Sequence, residues 1–300
     1  MHSEKIGWIG TGVMGCPMAG HVLKAGYPLS VFTRTKAKAE PLVAKGAAWC
    51  EDAKSVAGAS DVVFTMVGYP DDVEQIVLGE NGILSAAKPG TVLVDMTTSK
   101  PSLAEKIYQE AQKKGVKALD APVSGGDVGV REGKLAIMTG GDQETFNQVL
   151  PLFKLMGETI AFMGGPGKGQ HTKMCNQILI ASTMIGTVES LLYAARAGLG
   201  AEAVIDVICK GAAGSWSINN LGRRIAAATY DPGFYIKHFV KDMGIAIEES
   251  KQMGLSLPGL ALANKLYVAA MAMGFENLGT QALYLLLEKM NERSPNNPVG

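Results

Sequence analysis

Apolar residues enter the first part of the chain as short β-type runs separated by stretches of helical spacing. Ile6–Ile9 reads as a short buried strand ending at Gly10, and a helical pattern follows over Val13–Ala25. Leu29–Thr33 is the next strand, and Lys36–Lys45 suits a helix. Val62–Met66 and Thr91–Asp95 are two further apolar runs of strand type. Pro101–Lys114 reads as a helix, with proline at its start where a missing N–H costs little. Val116–Leu119 returns to strand. Short apolar strands alternating with helices predict parallel βαβ units and a doubly wound sheet.

The pattern changes near residue 165, where Gly164, Gly165, Pro166, Gly167 and Gly169 form a dense breaker cluster. Residues 170–197 then lack proline and carry one internal glycine, Gly186. They predict a single helix of roughly 40 Å at 1.5 Å per residue. Helical spacing recurs over 201–210, 217–228, 237–253, 258–273 and 278–291, and strand signals are scarce. The expected architecture is an α/β Rossmann-type domain over 1–165 and an all-α domain over 166–300, joined by the long helix. The tail Ser294–Gly300 is expected to fray.

A chain of 300 residues, 47% apolar and 19% charged, can bury a sizeable core. Formal net charge is zero, which leaves no basic excess for a nucleic-acid backbone. Cys16, Cys50, Cys175 and Cys209 form no C-x-x-C pair and read as reduced thiols. His2, His21, His171 and His238 do not make a ligand set, so no metal is expected. The N-terminus leads directly into the first strand without a signal-peptide pattern, and no uninterrupted apolar run has the length of a membrane span. Cytoplasm is the expected compartment, with no membrane partner.

Residues 10–15 read G-T-G-V-M-G between the first strand and the first helix. In that context Gly10 permits a tight turn, Gly12 lets backbone approach a pyrophosphate, and Gly15 allows close helix–strand packing. Val13 and Met14 complete the loop, and the helix start offers unpaired N–H groups to phosphates. The second strand identifies the dinucleotide. An NAD site usually places an acid near its end, yet none occurs between Cys16 and Ala39. The strand ends Thr33-Arg34-Thr35 instead, with Lys36 and Lys38 behind. A guanidinium there can pair with a 2′-phosphate, so NADP is expected rather than NAD, with Arg34 as the main ligand.

Four stretches together resemble the β-hydroxyacid dehydrogenase family. They are G-T-G-V-M-G with the following C-P-M-A, D-A-P-V-S-G-G at 120–126, G-K-G-Q-H-T-K-M-C-N-Q at 167–177, and K-D-M at 241–243. The family includes 3-hydroxyisobutyrate dehydrogenases, tartronate semialdehyde reductases and succinic or glyoxylic semialdehyde reductases; 6-phosphogluconate dehydrogenases are longer relatives. The resemblance implies hydride exchange between NADP and a small carboxylate-bearing hydroxy acid or its aldehyde. It also implies a Rossmann domain, an α-helical domain, and assembly as a homodimer or homotetramer.

Hydride transfer from C–OH needs a base for the hydroxyl proton, and the reverse needs an acid. Lys173 matches the family's essential lysine and lies one turn into the long helix, beside the glycine cluster. Asn176 and Gln177, three and four residues on, share its face and could hold a substrate hydroxyl or carboxylate. The family commonly has a second Asn where this chain has Gln177, one methylene longer. Ser124, Gly125 and Gly126 follow a strand at its carboxyl end and suit a substrate carboxylate. Thr97 lies near the nicotinamide ribose by resemblance, or else caps a helix. Val67 should approach the cofactor, with Gly68 and Tyr69 beside it. Lys241 closes over the nicotinamide by resemblance, or else pairs with Asp242 or Glu248. Phe234 walls the pocket or packs in the core. The reading from a different class is a non-catalytic NADP-binding module; an imine reductase would commonly lack the lysine.

Overall fold

The computed structural model describes residues 3–292, so the tail Ser294–Gly300 lies outside the described residues. The chain forms two compact units, Met1–Met174 and Cys175–Gly300, dividing inside the long helix.

The first unit is built on nine strands among the described residues: β1 (Ile6–Ile9), β2 (Leu29–Phe32), β3 (Ala48–Trp49), β4 (Val62–Thr65), β5 (Val92–Asp95), β6 (Lys117–Asp120), β7 (Val123–Ser124), β8 (Leu135–Gly140) and β9 (Gly157–Gly164). Their order is β3-β2-β1-β4-β5-β6-β8-β7, with β9 paired to β8. The first six are parallel, in the 3-2-1-4-5-6 order of dinucleotide-binding sheets. β8 runs antiparallel to β6 and β7, and β9 is parallel to β8.

The central strands read I-G-W-I, V-V-F-T and V-L-V-D and are buried along their whole length, as expected of parallel strands covered on both faces. One face carries Trp8, Phe64, Val94, Phe146 and Phe153; the other carries Ile9, Val63, Leu93, Val73 and Ile107. Trp8 stacks on Phe64 with centroids 5.1 Å apart, and its indole N–H donates to the Gly10 carbonyl at 3.1 Å. The core thereby holds the start of the glycine loop.

Sequence periodicity assigns no element between 121 and 165. The structure places β7, β8, β9 and the helices Gly126–Glu132 and Gln143–Phe153 there. β7 is two residues long, and the β8–β9 ladder carries register shifts, so neither yields a clean alternation. The expected helix Lys36–Lys45 is instead a 3₁₀ turn, Lys36–Lys38, followed by the single turn Glu40–Val43 with Pro41 in its first turn.

The long helix runs Lys168–Arg196, 29 residues. By length and composition it could cross a membrane, with mean hydropathy 1.6 over 18 residues. Gln170, Lys173, Gln177 and Thr187 along it are buried among protein groups. The second unit is helical, with Ala201–Ile208, a π-helical stretch Ser217–Gly222 running into Arg223–Ala226, then Ile236–Gln252, Pro258–Ala272 and Leu283–Met290. Its core centres on Phe239 and Tyr267, whose rings meet edge-to-face at 5.0 Å. Phe234 packs edge-to-face on Phe239.

Candidate active site

The order of the sheet reverses between β1 and β4, and the glycine loop lies at the carboxyl end of β1. Doubly wound sheets bind ligands at such a point. Gly10 has φ +94°, and a Cβ there would collide with the Met66 carbonyl. A Cβ on Gly15 would strike the Gly10 carbonyl. A Cβ on Gly12 would meet nothing within 4 Å. Two glycines are thus required by the fold, and the third leaves open space over the loop. Thr11 Oγ1 is buried there without a hydrogen-bond partner, and the helix Gly15–Lys24 has no side-chain N-cap. A helix start without a side-chain cap, an orphaned hydroxyl and an open cradle fit a dinucleotide pyrophosphate.

Thr33, Arg34 and Thr35 follow β2 as expected. Arg34 is 77% exposed, and its Nη1 donates to Asp72 Oδ1 at 2.9 Å. Asp72 comes from the first turn of the helix Pro70–Leu78, where the dipole favours an acid. No acid follows β2 itself, but one arrives from 38 residues on.

The carboxyl ends of β4 and β5 are tied together. Val67 N–H donates to Thr97 Oγ1 at 3.0 Å, and Thr97 N–H donates to Asp95 Oδ1 at 3.1 Å. Thr65 Oγ1–H donates to the same oxygen at 2.7 Å. Burial pushes the Asp95 carboxyl up to about 6, against the pull of the threonine hydrogen bonds, and the charge of Asp120 adds to the rise. The folded state holds this proton more tightly than the unfolded chain. Its stabilising effect is complete below about pH 4 and is lost as the pH rises through about 6. Asp95→Asn keeps Oδ1 as the acceptor for both donors. Its stability relative to wild type should rise by about 2 kcal/mol between pH 4 and pH 7 in urea melts. A difference independent of pH would contradict this account.

Ser124 ends β7, and Gly125 and Gly126 follow with φ +134° and +62°. Side chains there would be strained, and a Cβ on Gly125 would also press Leu135 at 3.1 Å.

Lys173 is 6% exposed on the second turn of the long helix. The preceding turn is held by two residues to which sequence reasoning assigned no role. Asp120 Oδ1 accepts from Gly167 N–H and Oδ2 from Gln170 N–H, both at 2.8 Å. Gln170, fully buried, donates from Nε2 to the Thr97 carbonyl at 2.7 Å and accepts Ser99 N–H at Oε1, 2.9 Å. Burial raises the Asp120 carboxyl, and the backbone N–H donors of Gln170 and Gly167 oppose that rise.

Farther along the helix, Asn176 Nδ2 donates to Gln177 Oε1 at 2.7 Å, and Gln177 Nε2 donates to Asp242 Oδ2 at 2.6 Å. Gln177 is buried, so both ends of its amide are engaged with protein, while Asn176 is half-buried beside it. Lys241 Nζ lies 3.0 Å from Asp242 Oδ1 as an ion pair between adjacent residues. No aligned hydrogen bond reaches that oxygen. Among the described residues no cluster of His, Cys, Asp or Glu could hold a metal ion.

Residues 5–165 match the NAD-binding domain of 6-phosphogluconate dehydrogenase, and residues 167–287 match the NAD-binding domain of NADP-dependent 3-hydroxyisobutyrate dehydrogenase. The chain belongs to the β-hydroxyacid dehydrogenase family. A probable 3-hydroxyisobutyrate dehydrogenase-like protein of Arabidopsis thaliana is 55% identical over 97% of this chain and 87% of its own length. The 2-hydroxy-3-oxopropionate reductase of Escherichia coli is 39% identical over 95% and 98%. A solved 3-hydroxyisobutyrate dehydrogenase of Mycobacterium tuberculosis, with L-serine, superposes with a TM-score of 0.87. It is 29% identical and covers 95% of this chain and 99% of its own. As a member of this family the protein is an oxidoreductase with an NAD(P)-binding domain.

Proposed function

We propose that the protein is an NADP-dependent oxidoreductase that interconverts a short β-hydroxy acid and its semialdehyde, with Lys173 as the acid and base. The observation that carries this reading is a buried lysine on a helix pinned to the carboxyl edge of a dinucleotide-binding sheet. When bound, the nicotinamide supplies or accepts the hydride. Lys173 Nζ donates a proton to the carbonyl oxygen during reduction and takes the hydroxyl proton during oxidation. Ser124 and the backbone N–H groups at Gly125 and Gly126 hold the substrate carboxylate. Asn176 offers its amide to the substrate, and Gln177 holds Asn176 in place. Thr97 and Val67 support the nicotinamide side of the cofactor, Gly10 through Gly15 the pyrophosphate, and Lys241 adds a cation to the cofactor set. L-serine, present with the tuberculosis homologue, is itself a carboxylate bearing a β-hydroxyl, which supports the substrate class.

The relationship to 2-hydroxy-3-oxopropionate reductase favours a second form of the same chemistry, in which a semialdehyde or glyoxylate is mainly reduced. Initial rates of NADPH and NADH oxidation decide between them, measured with methylmalonate, succinic and tartronate semialdehydes and with glyoxylate. Turnover of none, alongside measurable NADPH binding, would remove the proposal.

Arg34, with Thr33 and Thr35, supports the choice of NADP. Its guanidinium has further donors beyond the one given to Asp72. Arg34→Asp should weaken NADPH binding roughly 10- to 100-fold through loss of charge-assisted bonds. NADH binding should change by less than about threefold, the 2′-phosphate being absent. Equal losses by fluorescence titration would contradict the 2′-phosphate assignment. The four free thiols suit a reducing compartment, and we place the enzyme in the cytoplasm. The exposed face of the long helix carries Leu179, Ser182, Gly186 and Tyr193, and we assign it to a homo-oligomer contact that sedimentation would read directly.

A further inference from the structure

The first turn of every helix leaves backbone N–H groups without partners, and the residue just before the helix normally supplies a side-chain acceptor. The long helix cannot use that solution, because Gly165, Pro166 and Gly167 precede it. Its acceptor comes from the end of β6, 47 residues earlier in the chain, where the two oxygens of Asp120 take the N–H groups of Gly167 and Gln170. The surroundings are shaped around this carboxylate. A Cβ on Gly140 would fall 2.6 Å from Asp120 Oδ1, and a Cβ on Gly169 2.7 Å from Oδ2. Gln170 adds a second anchor, bonded through both ends of its amide to the Thr97 carbonyl and the Ser99 N–H beyond β5. Thr97 is itself bonded to Val67 beyond β4. A single chain of hydrogen bonds therefore runs from Val67 through Thr97 to Gln170. Lys173 stands one turn after Gln170 on the same helix face.

We infer that Asp120 and Gln170 are positioning residues for the Lys173 ammonium. They fix the axial and rotational setting of its helix against the strand ends that flank the dinucleotide site. The inference rests on Lys173 being the proton donor. Two anchors on neighbouring strands determine both rotation and translation of the helix start, where one would leave it free to pivot. Proton transfer demands heavy-atom separations near 2.6–3.2 Å, so a shift of about an ångström at Nζ impairs chemistry without touching cofactor binding.

The test is single-turnover reduction, with enzyme and NADPH premixed against an excess of the best semialdehyde. Wild type is compared with Asp120→Asn, Gln170→Asn and Lys173→Ala. Asp120→Asn turns one acceptor into an NH₂ facing an N–H, and Gln170→Asn is too short to span Thr97 and Ser99. Both variants are expected to bind NADPH within about threefold of wild type and to transfer hydride roughly 10- to 100-fold more slowly, at near-full amplitude. A role in folding alone would lower the amplitude, through the folded fraction, and leave the rate of the surviving enzyme unchanged. That result overturns the inference, as do wild-type rates in both variants. If Asp120→Asn does not fold, Gln170→Asn carries the comparison alone, because Gln170 bears no charge and its loss leaves the Asp120 cap intact. Lys173→Ala separates the two claims. Should it retain the wild-type rate, the assignment of Lys173 fails; should it lose the rate while the other variants keep theirs, only the positioning role fails.

Discussion

Lys173→Ala is expected to lower turnover by roughly 10²- to 10⁴-fold, the usual worth of a placed general acid. NADPH binding should stay within a few-fold of wild type. Alanine has the highest helix propensity, and the first turn is held by Asp120 and Gln170, so the helix survives the change. The loss falls on kcat more than on KM, because the proton is delivered as the carbonyl oxygen gains charge. Lys173→Arg should be nearly as damaging. A guanidinium keeps the positive charge but does not release a proton near neutral pH, and its planar fork is bulkier than an ammonium. Turnover within tenfold of wild type in the alanine variant would remove Lys173 from the mechanism.

The parts of this site that were legible in the sequence are those whose partners lie close along the chain. The loop Gly10–Gly15 joins one strand to one helix within six residues, and two of its glycines, Gly10 and Gly15, are required by contacts with Met66 and with the loop itself. The flanking motif singles out Lys173 as a candidate, and the absence of breakers predicts the long helix that the structure contains. What escaped was held by distant partners. Asp120 and Gln170 are 50 residues apart, and Gln170 and Thr97 are 73 apart, so no spacing announces them. Asp72 meets Arg34 from the helix Pro70–Leu78, which a search for an acid after β2 cannot find. Helical spacing offers the Gln177 amide to a substrate, and its hydrogen bonds to Asp242 and Asn176 are not announced by that spacing. β8 and β9 went unassigned because glycines at their ends and bulges in their ladder break the alternation that marks a strand.

The other large effect expected is at Gly12, where fold and function separate. Gly12→Val should leave thermal stability near wild type, since a Cβ there meets nothing within 4 Å and the backbone is not left-handed. The side chain would nevertheless occupy the space in which backbone N–H groups meet a pyrophosphate. Losing two hydrogen bonds to a charged group, at about 1.5–3 kcal/mol each, weakens NADPH binding roughly 100- to 10,000-fold. Gly15→Val should behave oppositely. Its Cβ would strike the Gly10 carbonyl and crowd the Trp8 indole nitrogen at 3.1 Å, so the melting temperature falls whether or not cofactor is present. Melting curves of both variants with and without saturating NADPH check this. Wild type should be stabilised by the cofactor through mass action, whereas Gly12→Val should melt at the apo temperature in either condition. A stable Gly12→Val protein that still shifts with NADPH would place the dinucleotide away from the loop. Because Thr11 Oγ1 is buried beside Gly12 without a partner, a bound pyrophosphate would also supply the acceptor that this hydroxyl lacks.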